Sequence, residues 1–396
     1  MVSMNGLSRL LIGAVAAAMA LAGATAAREP VAAVQRPSAS TFRWSPATLV
    51  HDQSRFADAG IDARKLSPGR VGSQFPRLAR LADGSWLIAY MNYANNGYTH
   101  DPNGGTSLRF ERSADDGRTW TPVGTLSEAG RDLDNGHIVQ RADGTLLLAY
   151  RSVRWGESYR ILARTSGDGG ATWSAPVTID ANEGTPGSLS NPDRGVYEPF
   201  LHIFPNGDIA VMYASEKYAT ASPAYAQVIS MKVSRDGGGS WGAETFPVRD
   251  LENPASRPGM PVWTRMGNGA YALVYELCAT DGCNAWIKTS PDGRTWGAAM
   301  GRRIPNQLGA PYVLALGNGA LVVTSNTHRL SVSDDFGATW RVSDPSPWGS
   351  LDDDANLWPA LVQTKADEIA FATSAGREPT HKNGNNIQIK FGTFGR

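Results

Sequence analysis

Five times along this 396-residue chain an Asn-Gly or Asp-Gly pair separates two apolar runs, and few folds accommodate such a spacing. The pairs are Asp83-Gly84, Asp143-Gly144, Asn206-Gly207, Asn268-Gly269 and Asn318-Gly319. The segments around them run from Phe75 to Tyr90, Asn135 to Tyr150, Arg194 to Tyr213, Met260 to Tyr275 and Ala310 to Ser325. Both residues of such a pair accept the positive φ of a tight antiparallel turn, so each segment predicts a β-hairpin. A looser copy from Trp358 to about Thr373, turning at Ala366-Asp367, makes a sixth.

A second repeat interleaves with the hairpins: Ser113 to Trp120, Ser166 to Trp173, Ser234 to Trp241, Ser290 to Trp296 and Ser333 to Trp340. Each has the form Ser-x-Asp-x-Gly-x-Thr-Trp, an Asp box, with Ser240 in place of Thr in the third and one residue fewer in the fourth. Such a box is a tight turn in which Asp binds backbone amides, Gly takes the conformation other residues avoid and Trp fills space between sheets. These aspartates read as structural rather than catalytic.

Repeats of 50 to 63 residues between hairpin glycines, with strand patterns throughout, predict an all-β, six-bladed β-propeller of four-stranded antiparallel blades with Asp-box turns. Six hairpins against five boxes implies a ring closed by the chain's own ends. Phe42 to Val50 is the expected closing strand, pairing into the blade that contains Trp358 and leaving that blade without a box. The propeller is thereby expected over 42–396.

Met1 to about Ala26 combines Arg9, an apolar run from Leu10 to Leu21 and a small-residue Ala24-Thr25-Ala26 site, which reads as a secretory signal peptide rather than a membrane span. Residues 27–41, rich in Ala, Pro and Ser, read as a flexible leader. An exported chain favours a disulfide between its two cysteines, Cys278 and Cys283. Lys+Arg 37 balances Asp+Glu 37, leaving no basic excess for nucleic acid or an anionic membrane surface. Two cysteines and six histidines without ligand spacing predict no metal and no cofactor, and a monomer is expected.

In antiparallel blades, the start of strand one and the end of strand two open on the same mouth. Nine residues before each hairpin glycine stand Phe75, Asn135, Glu198, Met260 and Ala310; seven after it stand Met91, Arg151, Ala214, Glu276 and Asn326. Only two of these ten are carboxylates, Glu198 and Glu276, and they come from consecutive repeats. The apolar neighbours of Glu198, Tyr197, Pro199 and Phe200, would penalise an idle charge, and should let Glu198 keep a proton while Glu276 stays ionised. Glu216 is the competing acid and reads better as a rim salt bridge. Two facing carboxyl groups are what glycosidic bond hydrolysis requires.

Val196-Tyr-Glu-Pro-Phe-Leu201, Arg257-Pro-Gly-Met-Pro-Val262, Val274-Tyr-Glu-Leu-Cys278 and Asp134-Asn-Gly136 resemble signature segments of the exo-α-1,5-L-arabinanases of glycoside hydrolase family 93. The resemblance covers essentially all of the chain beyond its leader. It implies a secreted, sialidase-like propeller that releases arabinobiose from linear arabinan, a plant cell-wall glycan, with retention. It also implies Glu198 as general acid/base and Glu276 as nucleophile. Arg77, Asn135, His137, Arg151, Arg257, Tyr312, Asn326 and Trp358, at or near inner-strand ends, are the candidate sugar ligands, and Trp155 and Asp352-Asp353-Asp354 are weaker ones. Two rival readings share the fold: a sialidase, against which Phe75-Pro-Arg77-Leu78 misplaces the expected arginine, and a non-catalytic glycan-binding propeller, which has no use for a carboxylate pair.

Overall fold

The computed structural model describes residues 42–51, 73–92, 105–154, 157–183, 195–343, 345–348, 356–376 and 385–394. The expected signal peptide and leader, Trp155 and Asp352 to Asp354 lie outside the described residues. Within them, five sheets each hold four consecutive antiparallel strands, with inner strands Ser73–Arg80, Asp132–Gln140, Val196–Ile203, Arg257–Arg265 and Tyr312–Ala315. These are blades one to five. Blade six takes its three inner strands, Asn356–Lys365, Glu368–Gly376 and Asn385–Phe394, from the C-terminal end.

The outer edge of blade six is built from the other end of the chain. Phe42–Trp44 and Thr48–His51 pair antiparallel with Asn385–Phe394, placing Phe42 opposite Phe394 and Thr48 opposite Ile389. The closing strand is thus where the repeat count put it, although it is broken into two short strands. Phe42 is 1% exposed and packs edge-on against Phe394, their ring centroids 5.4 Å apart. The two ends of the chain are thereby joined in one sheet.

All five Asp boxes form the turns expected of them. In the first, Asp115 Oδ1 accepts from the Thr119 amide at 2.8 Å, and Gly117 donates its amide to Ser113 Oγ at 2.8 Å. A side chain on Gly117, whose φ is +82°, would also come within 3.1 Å of the Trp86 ring. Hydrogen bonds from Thr119 come first among the effects that hold the Asp115 carboxyl at about 2, so it stays ionised and keeps its turn closed through mild acid.

One feature recurs in every inner strand. Phe75, Asn135, Glu198, Met260, Ala310 and Trp358 all take a positive φ, between 43° and 62°. Pro76, Pro199, Pro261, Pro311 and Pro359 follow five of them, and Gly136 follows the sixth. The ladder skips at these points, between Gln74 and Arg77, Asp134 and His137, Tyr197 and Phe200, Gly259 and Val262, and Leu357 and Ala360. Each inner strand of blades one to four and six therefore carries a β-bulge, which tolerates a proline because its amide is unneeded there. The left-handed residue costs about 1 to 3 kcal/mol at each position. Repetition around the whole ring marks that cost as part of the architecture, not a peculiarity of any one residue.

If ring closure carries stability, Phe42→Ala should lose about 3 to 5 kcal/mol in chemical denaturation, as for a buried phenylalanine in a packed core. A loss below about 1 kcal/mol would contradict the seam described above.

Candidate active site

The six left-handed residues, five of them at bulges, surround the axis just inside the mouth. Phe75, Met260 and Ala310 join Met91 in one apolar cluster, and Trp358 packs on it, stacked on Phe75 with ring centroids 4.0 Å apart. Phe75 and Met260 come from opposite blades, so this cluster crosses the axis and closes that part of the channel. The remaining two bulge residues are Asn135 and Glu198, which leaves the polar part of the mouth over blades two to four.

Two residues deeper along the same strands lies a second tier. His137 stacks on Phe200 at 3.8 Å, Phe200 meets Tyr312 edge-on at 6.0 Å, and the Arg77 guanidinium lies 5.5 Å from the Tyr312 ring centroid. Arg77 also donates to the carbonyls of Pro76 at 2.9 Å and Pro359 at 3.4 Å. These contacts plug the channel. Burial, aided by the charge of Arg77, drives the His137 imidazole down to about 3, and its Nδ1 accepts the Leu201 amide at 3.1 Å. Arg77, His137 and Tyr312 are thus buried in the floor, where sequence position alone had set them at the mouth.

The carboxylates are held differently from the floor. Met260 donates its amide to Glu198 Oε2 at 2.7 Å, and Ala310 donates its amide to Glu276 Oε2 at 2.7 Å. Both donors are left-handed residues of the following blade, Met260 at a bulge and Ala310 just before its strand, where the amide is left outside the ladder. A third copy has Trp358 donating to Asn326 Oδ1 at 2.9 Å. Glu276 and Asn326 occupy matching positions in blades four and five. Blade three has Ala214 there, which cannot accept, and Glu198 takes the amide in its place.

Gly259 lies between the acids. It pairs across the hairpin with Glu276, and a methyl built on it would stand 3.5 Å from Glu198 Oε2, 3.5 Å from Glu276 Oε1 and 2.8 Å from Gln227 Nε2. The two carboxyl oxygens are therefore at most 7.0 Å apart, twice the 3.5 Å that separates each from that point. Gln227 is fixed by donating to the Pro258 carbonyl at 2.8 Å. Sequence reasoning missed Gln227 and passed over Gly259. Spacing offered little signal, since blade five also carries a glycine at this place, Gly309, where the remaining blades carry Gln74, Asp134, Tyr197 and Leu357.

Both acids are half-buried, and burial raises the pKa of each. Glu276 rises to about 7, through burial first and the charge of Glu198 second, against the opposing Ala310 amide and Arg257. Glu198 rises despite the Met260 amide and Arg151, with Asp134 and Glu216 adding to the effect of burial. The pair accordingly shares a proton near neutrality. This corrects the expectation that Glu198 keeps its proton while Glu276 stays ionised: burial raises both, Glu198 has Arg151 nearby, and part of the repulsion falls on Glu276.

Arg151 and Arg257 are engaged by acids of the protein. Arg151 grips Asp134 through two nitrogens, Nε at 2.7 Å from Oδ1 and Nη2 on Oδ2. Arg257 pairs with Glu216 Oε1, while Glu216 Oε2 accepts from the Tyr197 hydroxyl at 3.0 Å and the Gly195 amide at 3.2 Å. The salt bridge expected of Glu216 exists, but Glu216 is wholly buried and not on a rim. Asn135 is 5% exposed, and its buried Oδ1 has no donor among the described residues. Beyond Glu276, the Cys278–Cys283 disulfide closes the loop after the strand.

No family model matches the sequence, and no curated protein matches it. Among solved structures, an α-L-arabinanase from Penicillium chrysogenum in complex with arabinobiose is similar at 22% identity, covering 88% of this chain and 98% of that one, with a TM-score of 0.68. An α-L-arabinofuranosidase from Fusarium graminearum, of glycoside hydrolase family 93 and also in complex with arabinobiose, matches at 19% identity over 87% and 97%, with a TM-score of 0.67. The likeness is one of fold. A sialidase from Streptococcus pneumoniae is more distant, at 10% identity and a TM-score of 0.57 over 81% and 68%.

A raised carboxyl pKa has a sign in stability. The folded protein binds more protons than the unfolded chain between about pH 4.3 and 7, so the pair's contribution to stability falls as pH rises through that window. Glu276→Gln should therefore melt above the parent protein at pH 8, by on the order of 1 to 3 kcal/mol, with the gain vanishing towards pH 4. A gain independent of pH would show that Glu276 is not protonated in the folded state.

Proposed function

We propose that this protein is a secreted retaining glycoside hydrolase, an exo-1,5-α-L-arabinanase that releases arabinobiose from linear arabinan. The carrying observation is the pair: Glu198 Oε2 and Glu276 Oε1, each 3.5 Å from one point over Gly259 and both raised in pKa. Retention requires carboxyl groups about 5 to 5.5 Å apart and inversion about 6.5 to 9.5 Å; the 7.0 Å upper limit admits the first and only the lower end of the second, and retention is proposed on the family resemblance. In this reading Glu198 protonates the leaving oxygen and later activates water, while Glu276 attacks the anomeric carbon. Asn135 accepts a sugar hydroxyl, Asn326 presents its amide nitrogen, and the exposed part of Trp358 offers a face to the ring.

Charge argues for a neutral glycan. Arg151 and Arg257 are engaged by Asp134 and Glu216, so neither is free to bind the carboxylate of an acidic sugar such as a sialoside. A binding-only propeller would gain nothing from two acids sharing a proton. The bound arabinobiose of the two fungal neighbours supports the pentose assignment. Export is proposed on the N-terminal segment, in keeping with the Cys278–Cys283 disulfide, and N-terminal sequencing of the secreted protein should begin near Ala27.

Assays on linear arabinan and sialyllactose decide the substrate, with arabinobiose expected from the first and no sialic acid from the second. Glu276→Ala should abolish turnover and recover it in azide as an inverted glycosyl azide, whereas Glu198→Ala should spare substrates with good leaving groups and give a retained azide. Full activity on arabinan in either variant, or the reverse stereochemistry, overturns the roles. Gly259→Ala, which needs no unusual φ but inserts a methyl between the acids, should fold and lose about 100-fold or more in kcat/KM.

A further inference from the structure

Two ion pairs flank the acids, and the reaction proposed above leaves both unused. Asp134 and Arg151 face each other across the hairpin of blade two, with side chains 4% and 10% exposed. Arg151 also lies over the ring of Tyr197, 5.2 Å from its centroid, and Tyr197 precedes Glu198. Glu216 of blade three, its side chain 0% exposed, reaches Arg257 of blade four, two residues before the glycine that pairs with Glu276. Each acid of the mouth therefore has a guanidinium nearby that is engaged by a different carboxylate.

Among the described residues, the charged groups that act on the pair are few. Glu198 feels Arg151 and Asp134 from blade two, Glu216 from its own blade and Arg77 from blade one; Glu276 feels Glu198 and Arg257. Tyr197 and Tyr312 are the phenols nearby, and Tyr312 is pushed further from ionising by burial. Among the described residues, four carboxyl groups, Asp134, Glu198, Glu216 and Glu276, thus face three guanidinium groups, Arg77, Arg151 and Arg257. The balance closes when one carboxyl group keeps a proton. A guanidinium without its own carboxylate would swing to the nearest acid and ionise it, because an opposite charge within about 4 to 6 Å lowers a carboxyl pKa by about 1 to 3 units.

We propose that Asp134 and Glu216 are positioning residues, each engaging one arginine of the mouth and withholding it from the adjacent acid, so that Glu198 and Glu276 keep their common proton. This rests on the reading of that pair as the catalytic acids, but it can be tested without substrate. The experiment follows the carboxyl titration of protein labelled with carbon-13 at the glutamate side-chain carboxyl, by NMR, with Glu198→Gln and Glu276→Gln assigning the signals.

Asp134→Asn should move the Glu198 titration to lower pH by about 1 unit or more, and Glu216→Gln should do the same to Glu276 through the released Arg257 while also lowering Glu198 through the lost charge of Glu216. The double variant Asp134→Asn/Arg151→Met, which removes guardian and guanidinium together, should return Glu198 to within about half a unit of the parent. A purely structural role for Asp134 would not be reversed by removing a second group. Should Asp134→Asn fail to fold, Arg151→Lys, which loses the two-pronged grip but keeps the charge, should lower the Glu198 titration in the same way. Folded variants whose titrations stay where the parent's are, or a double variant that does not return, overturn the inference. Loss of arabinan hydrolysis in the parent with the expected titrations would overturn the proposed function and leave this inference standing.

Discussion

The structure depends on one backbone event repeated around the axis, a residue in the left-handed region at the start of each inner strand. With a proline after it in five blades, the strand must break its ladder there, because proline has no amide to contribute. The break turns one amide of each blade inward. In blades four, five and six that amide is taken by a side chain of the preceding blade, so the device that lets six sheets converge also bonds neighbours together. Catalytic geometry needs positions fixed to within about 0.5 Å, and a backbone donor on a packed strand fixes a carboxylate more firmly than a long side chain could.

Electrostatics then acts on a scaffold already set. Burial raises both acids, but burial alone does not distinguish them, since each accepts one backbone amide of the following blade. The difference comes from the rest of the charge set: Asp134 and Glu216 both act on Glu198, while the main charge acting on Glu276 is Glu198 itself. The protonation of one acid therefore bears on that of the other.

Much of this was legible in the sequence because turn chemistry is local. Counting from hairpin glycines worked since Asn-Gly and Asp-Gly fix the turn, and the strand then carries the register outward; the residue nine before the glycine is the bulge residue in blade after blade. The same counting failed for Arg77, His137 and Tyr312. One bulge separates them from the mouth and sends them into the floor, and depth along the axis has no local signature. Glu216 was misjudged for a related reason: its burial is decided by Tyr197, Gly195 and Arg257, which the fold brings together from two blades. Gly259 and Gln227 matter through the space and contacts between strands, which no spacing rule reports.

The comparison of blades three and four gives the two glutamates their separate origins. Glu276 sits at the end of a second strand, the place Asn326 holds in blade five, and both accept a backbone amide of the next blade. Glu198 is a bulge residue, and reaches its amide only because Ala214 leaves that place in blade three without an acceptor. An acceptor at position 214 would compete for the Met260 amide and release Glu198. Ala214 is 0% exposed, so a longer side chain would also have to displace its packed surroundings. The vacancy beside Glu198 is thus as much a part of the site as the carboxylate, and a ring of near-identical blades becomes asymmetric where one small residue stands in place of a polar one.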